Sequence, residues 1–353
     1  MIDFRYHLVS IIAVFLALTV GLVLGTTMLQ DPLLDTLQNE TADLRGQTED
    51  LRSERDVADR VNAGADQMVD AASADMLDGR LEGLDVVVVQ APGADADTAA
   101  SLGERVEEAG GRIAGRVEIA PEFVDPANTA FVDELALQVS ADAGSLSGSG
   151  PYEKAGIEIG RALARVPEPE EDEDEDGEED GEEAEEGGHD PASALAAFVE
   201  GGLLTVRGEP AGRSDVVVMV SPSSAEQAGR DDRETVNTVL TAFVSALHDR
   251  VGGLVLTGDV PSSHGHGMIA QARAEEADFA TVDMAGRPMG DIVAVLALAE
   301  DIDGDGGAYG VGAGVDGFLP DPLPEPRGTA DTEPSPEPSD GLDEARRVVP
   351  DGE

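Results

Sequence analysis

The architecture is decided by residues 8–29, which read LVSIIAVFLALTVGLVLGTTML and contain no charged side chain across twenty-two positions. A helix rises about 1.5 Å per residue, so this stretch covers about 33 Å and can cross a hydrocarbon core about 30 Å thick. A cleaved signal peptide would have a shorter apolar region ending in an A-x-A-like site, whereas GTTMLQ occupies residues 25–30. The sequence therefore predicts that residues 1–30 form a short head and an uncleaved transmembrane anchor, rather than a signal peptide or a buried core helix.

Small residues recur at every fourth position on one face of this predicted helix, namely Ala13, Ala17, Gly21 and Gly25. Small side chains let two helix backbones approach closely in lipid, so this ridge predicts helix–helix contact within the membrane. Ordinary composition is the alternative, because glycine is frequent in membrane helices. The head carries Arg5, and the positive-inside tendency favours a cytoplasmic head with the bulk of the chain extracytoplasmic.

A seven-residue repeat follows over residues 31–70. Asp31 and Pro32 resemble an N-cap and a first helical residue, which predicts that a new helix begins here. Leucines then recur at every seventh position with charged residues between them, as Leu37, Leu44 and Leu51. This pattern predicts the seam of a coiled coil and hence a parallel homo-oligomer, most simply a dimer. The alternative is a single amphipathic helix that lies on its own domain.

The pattern changes to alternating strands and helices over residues 80–318. Two apolar runs, LDVVVVQ at 84–90 and DVVVMV at 215–220, are each followed by a proline-containing turn and predict buried strands. Further strands are predicted at 112–119, 253–257 and 279–282, and helices at 97–109, 130–140, 152–165, 191–199, 233–250, 268–274 and 290–300. The alternation predicts an α/β domain with a mostly parallel sheet that helices cover on both faces.

Two segments are too polar to pack into such a domain. Fifteen of the nineteen residues at 168–186 are acidic, so residues 167–190 are predicted to form a disordered acidic insert. Residues 319–353 are rich in proline and acidic side chains and are predicted to form a disordered tail.

Composition excludes several classes of function. The net charge of −52 excludes binding of nucleic acid or anionic lipid headgroups through a basic patch. The absence of cysteine excludes disulfides, thiolate metal sites and a cysteine nucleophile. With three Tyr, eight Phe and no Trp, the chain lacks the aromatic girdles of an outer-membrane barrel.

One loop carries residues that suit a metal ion. SSHGHGM at 262–268 follows the strand predicted at 253–257 and precedes a predicted helix, which places it at the carboxyl edge of the sheet, where such folds bind ligands. Imidazole and thioether groups suit copper in a protein without cysteine. The loop thus predicts a possible copper ion site formed by His264, His266 and Met268. The alternative is a solvated glycine-rich loop with two exposed histidines.

Other motifs are incomplete. Asp301, Asp303 and Asp305 begin like a calcium loop, but Gly312 stands where the bidentate glutamate is required. The glycines at 312, 314 and 317 match a dinucleotide fingerprint by letter, yet FLP follows rather than a helix, so this interpretation is rejected. No spacing unites a nucleophile, a base and an orienting group, and we expect a protein that is not an enzyme.

The amino-terminal block resembles a known family. FRYHLVS at 4–10 and AVFLAL at 13–18 precede Gly21 and Gly25, and matching groups recur near the end as TVD at 281–283, GR at 286–287, LAL at 296–298 and GAYG at 307–310. These residues resemble the MctB-type copper transport family of actinobacteria, over residues 1–319. The resemblance implies copper efflux or copper homeostasis at the cell envelope, described for the family as an outer-membrane pore. It supplies no copper ligands.

Two other classes of function stay open beside copper transport. One is an oligomeric envelope scaffold that binds partner proteins of unknown identity and has no direct role in metal transport. The other is an enzyme with a degenerate α/β domain. The copper sensitivity of a deletion strain separates transport from scaffolding, and substrate turnover would reveal an enzyme.

Overall fold

The computed structural model of the chain describes residues 4–166, 190–304 and 306–327, and for residues 26–37 it describes the backbone alone. Most of the predicted insert and the end of the predicted tail, 167–189 and 328–353, lie outside the described residues. The elements in the described ranges are α1 (Phe4–Leu77), β1 (Asp85–Gln90), α2 (Ala96–Glu108), β2 (Arg112–Ile119), α3 (Thr129–Val139), α4 (Pro151–Leu163), α5 (Pro191–Glu200), β3 (Leu204–Gly208), β4 (Val216–Val220), α6 (Arg233–His248), β5 (Leu254–Thr257), α7 (Met268–Ala274), β6 (Ala280–Val282), α8 (Pro288–Ile302) and β7 (Ala308–Tyr309). The chain divides into two compact units, Met1–Ala65 and Asp66–Glu353.

Helix α1 contains the predicted anchor and the predicted coiled-coil segment. Its backbone is helical through Asp31 and Pro32, so the prediction that a new helix begins at Asp31 is wrong. The fixed φ of proline, about −65°, is itself helical, and a proline inside a helix removes one backbone hydrogen bond at a cost of about 3 kcal/mol. Uninterrupted helix-forming sequence on both sides outweighs that loss.

The seven strands form one sheet in the order β3-β2-β1-β4-β5-β6-β7. Neighbouring strands are parallel except for β2 and β3, which are antiparallel. The chain moves outward from β1 to β2 and β3, then returns to place β4 on the other side of β1. The strand order therefore reverses between β1 and β4, and ligands of open α/β sheets bind at the carboxyl ends beside such a point.

Side chains of the central strands alternate between two cores. Val86 and Val88 face a core shared with α2, α8 and the end of α1. Val87 and Val89 face the opposite core, shared with α3 to α7. Each of these valines is at most 1% exposed, and each contributes about 1.5–3 kcal/mol through burial. The prediction of a mostly parallel sheet with helices on both faces is confirmed.

Four charged residues fix the amino ends of β1 and β4. Asp85 accepts hydrogen bonds from Arg112 Nη2 and Arg165 Nη2 at 2.7 Å each, and Arg165 also bonds Asp215 at 2.7 Å. Burial alone would raise the pKa of Asp85, but the hydrogen bonds and charges of the two arginines outweigh it and lower the pKa. A cavity of about 670 Å³ opens here. The two arginines are paired with the two aspartates, so none of the four residues carries an unpaired charge at this end of the sheet.

Beyond the last helix, the chain continues along the second unit. Leu319 is partly buried against the core that contains Val88, and the Arg327 N–H donates to the Gly79 carbonyl at 2.8 Å. The first residues of the predicted tail therefore contact the α/β domain.

Candidate functional site

The amino-terminal part of α1 is long and apolar enough to cross a membrane. The segment Phe4–Gly25 has 22 residues and a mean hydropathy of 2.7, and its side chains are unburied within one chain. Ala13, Ala17, Gly21 and Gly25 lie one helical turn apart and are all exposed. A Cβ added at Gly21 or Gly25 would meet no atom within 4 Å. The small-residue ridge is therefore free to pack against another helix.

The predicted seam lies on the next part of α1. Leu44 and Leu51 are 62% and 65% exposed in the single chain, and a spacing of seven places them on one face of the helix. The side chain of Leu37 lies outside the described residues. Two large apolar side chains are thus available to a partner helix.

The last turns of α1 are attached to the α/β domain by charged side chains. Arg287 Nη2 donates to Asp66 at 2.7 Å, and Arg105 pairs with Asp70. Ser73, which is 2% exposed, donates to Glu108 on α2 at 2.6 Å. Sequence reasoning missed this attachment because its partners are separated by 35 to 221 positions in the chain.

The histidine loop lies where the sequence predicted, between the carboxyl end of β5 and the start of α7. His264 and His266 are exposed. His264 Nδ1 lies 3.1 Å from the Val260 carbonyl oxygen, and His266 Nδ1 lies 3.5 Å from Glu234 Oε1 on α6. The buried Asn237 donates to the His266 carbonyl at 2.7 Å, so α6 fixes the loop through its backbone.

Met268 does not share the surface with the two histidines. It begins α7 and is 1% exposed, because Met268, Ile269 and Ala272 form the buried face of that short helix. Within the described ranges, no group of three or more His, Asp and Glu side chains is placed to hold a metal ion. Copper binding at this loop stays a prediction, and its two histidines are the ligands within reach of solvent.

A buried ion pair at the carboxyl end of β6 orders the loop after β7. Asp283 is 0% exposed and accepts from Arg273 Nη1 at 2.7 Å and from the Val311 and Gly312 N–H groups at 2.9 Å each. A Cβ at Gly312 would overlap both Asp283 and Ser263. The first glycine of the stretch that matches a dinucleotide fingerprint by letter, Gly312, is therefore required for close packing against this carboxylate.

The aspartate that resembles the start of a calcium loop has a structural role. Asp301 accepts from the Leu254 N–H at 2.7 Å and the Ala280 N–H at 2.9 Å. His248 Nε2 lies 3.4 Å from Asp301 Oδ2, the oxygen that also accepts from the Leu254 N–H. Burial alone would lower the pKa of His248, but the hydrogen bond and charge of Asp301 outweigh it and raise the pKa above 6.5. Asp301 thus joins β5, β6 and α6.

Another buried carboxyl lies between α2 and α8. Asp291 is 2% exposed and accepts from Ser101 Oγ at 2.8 Å and from the Gly286 N–H at 2.9 Å. Burial raises the pKa of Asp291 above 3.8.

A cleft of about 320 Å³ lies at the reversal point of the strand order, at the carboxyl ends of β1, β4, β5 and β6. Its polar lining is Asp95, Thr98, Ser221, Ser223 and Asp259. Ser221 is 2% exposed, and its Oγ has no hydrogen-bond partner among the described residues. Sequence reasoning noticed the turns after the two valine-rich strands but missed the cleft that they form together.

Comparison with known proteins assigns the family. The family described as "Copper transport outer membrane protein, MctB" matches residues 1–320 of this chain. A protein named copper transporter MctB from Mycobacterium tuberculosis is 29% identical over 322 residues, which cover 89% of this chain and 98% of the relative. Copper transporter MctB from Mycobacterium leprae is 28% identical over 325 residues, with the same coverage of both chains.

Proposed function

The chain belongs to the MctB family of copper transport proteins, and we propose that it acts in copper transport and copper homeostasis as a membrane-anchored protein of the cell envelope. The family match over residues 1–320 carries this proposal, because it includes the apolar helix segment, the rest of α1 and the α/β domain. The proposed role is not enzymatic.

A deletion strain tests this role. Cells that lack the protein are expected to grow more poorly than the parent strain at raised copper concentrations, and the full chain supplied on a plasmid should restore growth. Unchanged copper tolerance would favour the alternative, an oligomeric envelope scaffold for partner proteins. Raised zinc serves as the matched control, because a general envelope defect would increase sensitivity to both metals.

The proposed anchor is a single pass through the membrane with the α/β domain outside the cytoplasm. Its support is the apolar segment Phe4–Gly25, together with Arg5 in the head and the positive-inside tendency. Cell fractionation identifies which membrane holds the protein. Protease added to intact protoplasts should then degrade the domain and spare a cytoplasmic control protein. A domain that stays protected until the cells are lysed would contradict this orientation.

We also assign α1 a role in self-association. The exposed ridge at Gly21 and Gly25 and the exposed leucines Leu44 and Leu51 are carried by the same helix. Pairing at one raises the effective concentration for pairing at the other. Light scattering of the full chain in detergent, with the micelle contribution subtracted, should give at least twice the mass of one chain. A monomer at high concentration would contradict the proposal.

The histidine loop is the proposed contact for copper. An Nδ1–H that donates to the Val260 carbonyl leaves Nε2 of His264 as the nitrogen free for a metal. Copper binding, measured by titration of the full chain, should weaken when His264 and His266 are both replaced by alanine, because the imidazole nitrogens are the proposed ligands. Met268→Leu is the matched control. It should leave copper binding unchanged, because the Met268 thioether is buried and the two histidines are the proposed ligands. Unchanged binding after the double substitution would assign copper to the acidic surface instead.

A further inference from the structure

The cleft at the reversal point of the strand order has the chemistry of a ligand site that copper transport does not use. We propose that it binds a small organic ligand carrying a primary ammonium group. Copper(I) prefers sulfur and nitrogen donors, whereas this cleft is lined by hydroxyl and carboxylate oxygens. Evidence against a role in copper transport would therefore leave this ligand site unaffected, and the reverse also holds.

A buried hydroxyl without a partner points to a ligand here. Ser221 lies directly after β4, is 2% exposed and lines the cleft. A buried hydroxyl without a hydrogen bond is destabilising because it has lost its water partners, and this hydroxyl has no partner among the described residues. A ligand that hydrogen-bonds to Ser221 Oγ would remove that cost.

The absence of a side chain at position 258 lets the Ser221 hydroxyl take its place in the lining of the cleft. Gly258 follows β5 and lines the same cleft. A Cβ at this position would overlap Ser221 Oγ and approach Ser262 Oγ to 2.7 Å. Any larger residue would therefore occupy the floor of the cleft next to the unpartnered hydroxyl.

The cleft is unsuited to phosphate and other anions. Phosphate sites in doubly wound folds depend on free backbone N–H groups at a glycine-rich turn and a helix N-terminus. Here five backbone N–H groups at or beside the cleft already donate to protein oxygens: Ala91 to Val220, Ser221 to Thr257, Ser223 to Gly93, Gly258 to Val282 and Ala285 to Gly258. In addition, the Thr98 N–H donates to Asp95 at 2.8 Å, and the Ser224 N–H donates to Asp259 at 2.9 Å.

The charge of the lining selects a cation that donates hydrogen bonds. Asp95 and Asp259 contribute two carboxylates, and the lining includes no Lys, Arg or His. Asp95 Oδ2 already accepts from Thr98, and Asp259 Oδ2 already accepts from Ser224. The acceptors that still have a lone pair for N–H donors are the Oδ1 atoms of the two carboxylates and the hydroxyl oxygens of Ser221 and Ser223. A primary ammonium group supplies three N–H donors and one positive charge in a small volume, and it fits a cleft of about 320 Å³.

Calorimetric titration of the full chain in detergent at physiological salt tests the proposal with putrescine as the probe. Two compounds of the same chain length are the matched probes: 1,4-butanediol, which has donors without charge, and tetramethylenebis(trimethylammonium), which has charge without N–H donors. Putrescine is expected to bind saturably and at least about tenfold more tightly than either, since charge-assisted hydrogen bonds are roughly twice as strong as neutral ones. Equal binding of butanediol, or no binding of putrescine, would overturn the proposal.

Substitutions separate the cleft from the general negative charge of the chain. Asp95→Asn keeps the helix cap, because asparagine caps as well as aspartate, and should weaken putrescine binding about tenfold. Ser221→Ala should weaken it about 3- to 10-fold. Asp249→Asn, an exposed aspartate outside the cleft, is the control and should leave binding unchanged. Equal losses in all three variants would show non-specific attraction to the acidic surface and refute the site.

Discussion

The buried ion pair between Asp283 and Arg273 allows the sharpest quantitative prediction about this fold. The Asp283 side chain is 0% exposed and that of Arg273 is 7% exposed. Asp283→Asn keeps the shape of the side chain, but its single amide oxygen can accept from only one of the Val311 and Gly312 N–H groups. It also leaves the Arg273 charge buried without its counter-ion. Breaking a buried pair from one side costs about 3–5 kcal/mol. This is a large part of the 5–15 kcal/mol that typically stabilises a protein.

A double-mutant cycle isolates the interaction. Arg273→Met removes the cation and keeps the length of the side chain, so the Asp283→Asn/Arg273→Met double variant no longer holds an uncompensated buried charge. We expect the double variant to lose less free energy of unfolding than the sum of the two single variants, by at least about 2 kcal/mol. Asp231→Asn, at an exposed position, is the control and should change the free energy of unfolding by less than about 0.5 kcal/mol.

Differential scanning calorimetry of the full chain in detergent measures these effects. A loss of about 3–5 kcal/mol should lower the Tm of the α/β domain by roughly 6–20 °C. A decrease of less than about 1 kcal/mol in Asp283→Asn, or strict additivity in the cycle, would refute the reasoning. Asp283 would then be only an acceptor for the loop after β7.

Three further predictions concern pH and assembly. Because Asp301 raises the pKa of His248 above 6.5, the stability from this pair should be fully present below pH 6.5 and lost as the pH rises through the folded-state pKa of His248. The Tm values of the wild type and of His248→Gln should therefore become similar at alkaline pH. Because burial raises the pKa of Asp291 above 3.8, the wild-type protein should lose stability as the pH rises from 3.8 through the folded-state pKa of Asp291. The Tm of Asp291→Asn should therefore exceed that of the wild type by more at pH 7 than at pH 4. An equal difference in Tm at both pH values would contradict the shift. Replacing Leu44 and Leu51 by aspartate should convert the proposed oligomer to a monomer in light scattering, whereas an unchanged mass would exclude these leucines from the proposed interface.

The secondary structure that the sequence predicted well is governed by local rules. A short run of four β-branched valines at 86–89, followed by a turn, is typical of a strand buried on both faces. Helix α7 was predicted with both of its ends correct. β3 was missed because it is an edge strand in which only Leu204 is buried, so no hydrophobic run marks it. β7 was missed because it contains two residues, too few for any periodicity.

The candidate sites were predicted only as far as local sequence determines them. The position of the histidine loop after β5 follows from chain order, and it was predicted correctly. The burial of Met268 depends on which face of α7 meets the core, and a seven-residue helix is too short to reveal that face. The cleft at Ser221 was missed because it unites four strand ends separated by up to about two hundred positions, and only the strand order brings them together.

Copper content of cells tests the central claim most directly. Total cell-associated copper is measured by mass spectrometry in the parent strain, in the deletion strain, and in deletion strains that express either the full chain or residues 31–353 without the anchor. Raised copper in the deletion strain is expected, with the parent level restored by the full chain and not by the anchorless chain. Equal copper in parent and deletion strains, or full restoration by the anchorless chain, would contradict a membrane-anchored role in copper transport.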